Sequence, residues 1–405
     1  MEEKQLPKLS NYRWVILAIA ASLDMISNYV QFQISALATQ IMPELHLTQP
    51  QFSSLLMAPM LIAVFLSIPA GSLADKFGAK KIVTVGLVVS VIGAFGRLWA
   101  SNFITMMIIL LLFGVYMALL NANTMKLFGT WFKQDTNMAM GIFFASASVG
   151  IMLSQITGPM FPNVQTAYIF SSVVLLILAV CWIVFVKDVP AGEELPKQEV
   201  VAEHKESSWD FFKVAAKSKK TWIVAMSVGF GMGASEAFSG ILPQAFAARG
   251  MTPTQAGTIA AIATVGSMCG SAFGPAIVDK SKRAKPLMML ITILGGISMA
   301  ITWYMPLGIV LTANLILGGL LGAMTGPIMQ AMPIQFPEIG PKYAGSAGGL
   351  VGTISLLLSY CVPVIISAIA GKSYVTTFIV QGTVFALTAI FIALLPDANS
   401  ARRHG

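Results

Sequence analysis

Apolar residues run through this chain in long stretches broken by short polar turns, and twelve stretches approach or exceed the ~20 residues that a helix needs to cross a bilayer. They predict helices at 13–40, 52–75, 80–100, 103–127, 138–160, 166–187, 219–248, 253–278, 285–305, 307–334, 343–371 and 374–395. Two of them begin alike. Thr48-Gln49-Pro50-Gln51 and Thr252-Pro253-Thr254-Gln255 each offer a threonine cap with a glutamine three residues on to reach back to it. The offset, 252 − 48 = 204, also carries Asp75 to Asp279, Lys76 to Lys280, Gly114 to Gly318, Phe132 to Phe336, Gly141 to Gly345 and Pro159 to Pro363. A constant offset of that reach predicts an internal repeat of six helices plus six. The chain therefore divides into a six-helix bundle at 1–187, a polar Glu- and Lys-rich linker at 188–218, and a second six-helix bundle at 219–405. The linker's end, from Ser208 to Lys217, suits a short helix on the membrane surface with Trp209, Phe212 and Ala216 inward.

Composition agrees with a polytopic, all-α membrane protein. With 405 residues, 56% hydrophobic and 10% charged, too little polar surface exists to cover a soluble globule. Of the 25 Lys and Arg, all but Arg97, Arg249 and Lys372 fall on one face if both termini share it, and the positive-inside rule makes that face cytoplasmic, in a plasma or inner membrane. The net charge of +8 then reports topology and anionic lipid, with no support for a nucleic-acid partner. Cys181, Cys269 and Cys361 lie in three different spans without metal-ligand spacing, so neither a metal site nor a disulfide is expected. The first span is too long for a signal peptide's apolar core and is expected to remain as a helix.

The turn between the second and third spans, Gly-Ser-Leu-Ala-Asp-Lys-Phe-Gly-Ala-Lys-Lys at 71–81, is too charged for hydrocarbon. It resembles the loop motif of the major facilitator superfamily, with Gly71, Asp75, Lys76, Gly78, Lys80 and Lys81 in place. Asp279 and Lys280 mark a degraded second copy, in which Pro275 stands for Gly71 and Lys282 for Gly78. The resemblance implies twelve helices around a central cavity, with helices 1, 4, 7 and 10 lining it and this loop acting in gating. It also implies that helix 2 meets helix 11, and helix 5 meets helix 8, between the halves. Small residues at four-residue spacing on those helices then read as sliding seams: Ala63, Ser67 and Gly71; Ser146, Gly150, Ser154 and Gly158; Gly266, Gly270 and Gly274; Gly345 and Gly349. On this reading Gly150 and Gly270 face each other. Asn11-Tyr12-Arg13-Trp14 and Trp131-Phe132 are similar to the ends found in the nitrate and oxalate branch, although that branch's central arginines are absent and Leu110 stands where a helix 4 arginine is frequent.

Inside the spans the only carboxylates are Asp24 and Glu236, each near mid-helix. A charge at the bilayer centre costs ~2.5 to 3.5 kcal/mol on insertion scales, so both are candidates for proton coupling. Asp24, Asn28, Gln31 and Ser35 form one stripe on helix 1, while Gly229, Gly233 and Gly240 leave room beside Glu236 on helix 7. Asn121 and Asn123 on helix 4, with Asn314, Thr325 and Gln330 on helix 10, complete the expected substrate cavity. No Lys or Arg falls at mid-depth, which disfavours small, strongly charged anions as substrates.

The expected function is a secondary active transporter, not an enzyme. It would move a small organic solute by alternating access, coupled to protons, as a monomer without a cofactor. An exporter of amphipathic drugs in exchange for protons is the alternative within the class, and a non-transporting membrane sensor the alternative outside it.

Overall fold

The computed structural model describes residues 10–190, 208–281 and 283–396, and among them the regular elements are all helical. The first half comprises α1 (Arg13–Ala36), α2 (Ala38–Glu44), α3 (Gln49–Phe77), α4 (Ala79–Gly96), α5 (Phe103–Phe132), α6 (Thr136–Thr157) and α7 (Val164–Phe185). After α8 (Ser208–Lys217) the second half comprises α9 (Lys219–Ala248), α10 (Pro253–Lys280), α11 (Ala284–Ile301), α12 (Ile309–Met324), α13 (Gly326–Ala331), α14 (Gly340–Ala370) and α15 (Tyr374–Leu394). Among the described residues, eleven segments are long and apolar enough to span a membrane. The twelfth long helix, α9, has 30 residues, but its glycines, serines and Glu236 dilute its apolar character.

The repeat is visible in the packing. In the first half α1 packs on α6, α3 on α5 and α4 on α7; in the second, α9 packs on α14, α10 on α12 and α11 on α15. Each half buries its own cores, such as Leu23, Phe113, Phe128 and Trp182 in one and Val224, Met288, Phe336 and Val351 in the other. Between halves α3 lies against α14 and α6 against α10. Both expected capping boxes form, with Thr48 N–H donating to Gln51 Oε1 at 2.9 Å and Thr252 N–H to Gln255 Oε1 at 3.1 Å.

Several helices differ from the apolar pattern. The first breaks at Leu37, so the run 13–40 becomes α1 and the short α2. The tenth breaks at Thr325, because Pro327 cannot donate the amide hydrogen that a continuous helix needs there. Arg97, expected near the end of the run 80–100 on the face opposite the charged turn, starts a single 3-10 turn after α4 and is 2% exposed. On α8 Ala215 is the buried residue rather than Ala216, and nothing is described of the side chains of Trp209 and Phe212.

The charged turn is docked onto the end of α7. Gly78 adopts φ 87°, where a side chain would be strained, and a Cβ there would also lie 2.8 Å from Asp188 Oδ2. Asp188 Oδ1 accepts the Lys80 amide at 2.7 Å, at the N-terminal end of α4 where a carboxylate is favoured. On the same face Tyr12 meets Trp131 at 5.8 Å and Trp14 meets Phe132 at 5.6 Å between ring centroids, while Arg13 pairs with Asp135 at 2.9 Å. The Asn11–Trp14 and Trp131-Phe132 motifs are thus one structural cluster that staples the start of α1 to the end of α5.

Candidate substrate cavity and the acids of the two halves

The halves are joined by hydrogen bonds towards the face opposite the charged turn. Ser35 Oγ donates to Gly240 O at 2.7 Å, Gln49 Nε2 to Gln244 Oε1 at 3.0 Å, and Ser53 and Ser54 pair with Ser367 and Tyr360 at 2.5 and 2.7 Å. Towards the charged-turn face, a Cβ added at Gly141, Gly348, Gly349 or Gly352 would meet nothing within 4 Å. The face opposite the charged turn is therefore closed.

Between the halves lies a cavity of about 240 Å³. Ser148 and Ile151 on α6 line it from the first half; the remaining walls come from the second half. Its polar groups are mostly hydroxyls, from Ser227, Ser235, Ser239, Thr264, Ser267, Thr325 and Thr388, and Met232, Met299, Met329, Phe238 and Phe385 supply the apolar surface. Glu236 is the one ionisable residue among the described lining residues, and its carboxyl takes no hydrogen bond or ion pair from any described residue. Room beside it comes from Gly231 and Gly322, where an added Cβ would make only ordinary or slightly tight contacts. Gly229 and Gly233 do something else: they let α9 close on Leu358 and Val362 of α14.

Asp24 is placed differently. It is 4% exposed between α1 and α6, with Ser146 Oγ donating at 3.4 Å and Asn28 Nδ2 at 3.5 Å to its carboxyl, and it does not line the cavity. Of the seven residues expected around a substrate, only Thr325 lines this space. Gln31 is fully buried and donates to Leu56 O at 3.0 Å. Asn123 bonds Leu119 O in its own helix at 2.8 Å. Asn314 is held by Ser298 O and Thr302 Oγ1 at 3.1 and 3.0 Å. Asn28 also bonds the Asp24 carbonyl at 2.9 Å, and Asn121 and Gln330 are exposed elsewhere. The cavity hydroxyls went unnoticed because serine in an apolar helix has the same signature whether it packs or binds.

The small-residue rows also need correction. Gly150 and Gly270 do not face each other: a Cβ on Gly150 would run into the Met25 carbonyl of α1, and one on Gly270 into the Leu320 carbonyl of α12. Gly266 and Gly274 likewise press on Ile316 and Met324, Gly158 presses on Ala36, and Ser154 Oγ bonds Ile151 O in its own helix at 2.7 Å. These rows tighten each half. Close approaches between halves are made by Gly257 of α10 against the Gln155 carbonyl of α6 and by Gly240 of α9 against Leu56 of α3. Gly349 faces open space; the surroundings of Gly71, Asp75, Asp279 and Gly345 lie outside the described side chains. Lys76, Lys81 and Lys280 are exposed, and Lys80 is half-buried.

The family model of the major facilitator superfamily matches residues 17–361. The chain belongs to the major facilitator superfamily. It is 22% identical over 354 residues to the nitrite extrusion protein of Bacillus subtilis (strain 168), covering 86% of this chain and 85% of that one. A galacturonate transporter of Dickeya chrysanthemi is 21% identical over 196 residues, 47% of this chain and 57% of its own length. Among solved structures, a D-xylose–proton symporter superposes with a TM-score of 0.77 at 16% identity, over 96% of this chain and 99% of that one. An inward-facing, unoccupied bacterial homologue of the human lysosomal transporter Spinster gives a TM-score of 0.72 at 13% identity, over 96% of each chain. This superfamily member is accordingly a multi-pass membrane transporter of small solutes, and not an enzyme.

Proposed function

We propose that the chain is a proton-coupled transporter of a small, hydroxyl-bearing organic solute in the inner membrane, working by alternating access as a monomer with both termini cytoplasmic. The charge asymmetry supports that orientation, on which the face closed by hydrogen bonds between the halves is the outer one, as suits a state that opens inward. The observation that carries the reading is Glu236, alone among hydroxyls in the cavity. A carboxyl without a cationic partner resists being closed away from water while charged, and does so far less with a proton aboard. Loading of the solute against the seryl and threonyl hydroxyls, together with a proton on Glu236, would then permit the cavity to shut. Asp24 is the second coupling candidate, within the first half. A nitrite-like anion is disfavoured because no described lining residue is cationic. At 240 Å³ the cavity also falls below the ~300 to 1,000 Å³ usual for drug-sized ligands, and export of amphipathic drugs finds no support among the relatives.

The test is uptake of a panel of sugars, polyols, nucleosides, sugar acids and amines into proteoliposomes with an imposed pH gradient. Accumulation of a hydroxylated neutral compound, abolished by a protonophore, is expected. Accumulation confined to inorganic anions, or indifference to the gradient, would overturn the reading.

A further inference from the structure

Arg97 is a cation buried in the first half without a carboxylate. It sits at the end of α4, towards the face where the halves are joined, and is 2% exposed. Nε donates to Ala94 O at 3.1 Å, Nη1 to Gln33 Oε1 at 3.3 Å and Nη2 to Ser171 Oγ at 2.9 Å. A guanidinium carries five N–H donors, so those three bonds leave one hydrogen on each terminal nitrogen without a protein acceptor among the described residues. Its plane rests 4.3 Å from the ring centroid of Tyr168. The Tyr168 hydroxyl is itself buried and finds no protein partner among the described residues.

Both residues line one cavity of about 30 Å³, closed in further by Ile41 and Glu44 of α2 and by Leu98 and Gln165. That space admits roughly one water molecule or one ion of similar size. The unspent groups, two N–H and one hydroxyl, can all donate, and two of them belong to a buried positive charge. A water molecule would accept from some of them and leave the charge uncompensated, whereas an anion would satisfy the donors and neutralise the cation together. Cavity volume limits the anion to a single small one. Glu44, exposed at the cavity's edge, is the one described acid in the lining and so the competing partner.

We infer that Arg97 and Tyr168 bind a halide-sized monovalent anion at this face of the first half, in a site that shares no residue with the solute cavity. The site bridges α1, α2, the end of α4 and α7, so occupancy stiffens the end of the half that meets the second half.

The experiment uses the full chain purified in detergent. Thermal unfolding is followed in sodium chloride, sodium bromide and sodium gluconate at matched ionic strength, because gluconate is too large for the cavity. Halide should raise the unfolding temperature saturably, as a ligand of the folded state does, and bromide anomalous scattering should appear beside Arg97 in crystals. Tyr168→Phe keeps the ring under the guanidinium and removes only the hydroxyl; it should fold normally and weaken halide affinity by roughly 10- to 150-fold, the scale of one hydrogen bond to a charged group. Glu44→Gln removes the competitor and should tighten halide binding. Identical unfolding in all three salts, or an unchanged halide response in Tyr168→Phe, would overturn the inference. So would a Glu44→Gln protein that loses stability in gluconate and gains no halide affinity, which would make Glu44 the partner of Arg97.

Discussion

Asp24 and Glu236 stand near the middle of the first helix of each half, α1 and α9, and the repeat gives those helices equivalent neighbours, α6 and α14. Their chemistry is nevertheless unlike. Asp24 is sealed against α6 with Ser146 and Asn28 directed at it, whereas Glu236 opens into the cavity with no described partner. The first half as a whole holds sealed polar groups such as Gln31, Gln33 and Arg97, while the second holds nearly all of the cavity wall. Duplication has therefore reproduced the packing frame and left the interior chemistry to diverge: one half is built as a support and the other as a container.

The strongest way to break that contrast is to neutralise each acid in turn. Glu236→Gln should lower gradient-driven accumulation by roughly 5- to 150-fold, the range of a coupling worth 1 to 3 kcal/mol, while retaining solute exchange without a gradient. Asp24→Asn keeps hydrogen-bonding atoms between α1 and α6 and should leave most accumulation intact. Accumulation measured in proteoliposomes from both variants decides it, and the reverse outcome would move coupling to the sealed acid.

A second contrast sets glycines within a half against a glycine between halves. Gly150→Leu and Gly270→Leu force a side chain into a carbonyl of the same half, and overpacking of this kind costs ~1 to 3 kcal/mol. Both should lower the unfolding temperature. Gly257→Leu meets Gln155 across the seam, so the strain is relieved by parting the halves there. That variant should keep its stability and become labelled, by a cysteine reagent added from the side opposite the charged turn, at positions that are shielded in the parent. Equal thermal losses in all three would show that α6 and α10 are not a moving contact.

The sequence and structure agree where the signal was repetitive or charged. The two capping boxes, the repeat at constant offset and the pairing of α3 with α14 and α6 with α10 follow from patterns of turn residues and from the family resemblance. The interior was far less legible. Asn314 and Ser235 are both uncharged polar residues in apolar helices, yet one is consumed by Ser298 and Thr302 while the other faces the cavity. Nothing in the order of residues distinguishes a spent hydrogen bond from an available one, because that depends on which neighbouring helix lies opposite. The same ambiguity governs the small-residue rows: four-residue spacing marks close approach and is silent on whether the partner is in the same half. The burial of Arg97 is illegible for a related reason, since nothing in the order of residues shows that Gln33 and Ser171 lie opposite it as acceptors.

The smallest effect is expected where charge sits at the membrane surface rather than inside. Glu338, in the connection between α13 and α14, lies 3.1 Å from Lys220 Nζ and 3.3 Å from Ser218 Oγ at the start of α9. Burial by itself would push its carboxyl up, but hydrogen bonds from its own backbone, from Lys220 and from Ser218, together with the Lys220 charge, hold it below the ordinary 4.5. A carboxyl with a lowered value in the folded state adds stability that is fully present above the unfolded value and is lost as pH falls through the folded one. Both side chains are more than a third exposed, at 38% and 39%, so solvent screens the pair and its contribution should stay within ~1 kcal/mol. Glu338→Gln should therefore lower the unfolding temperature slightly at neutral pH and low salt. The difference from the parent should shrink in high salt and fade as pH falls below 4.5. Thermal melts over pH and salt would check this, and a gap that persisted in acid would mean that Glu338 acts through packing and not through its charge.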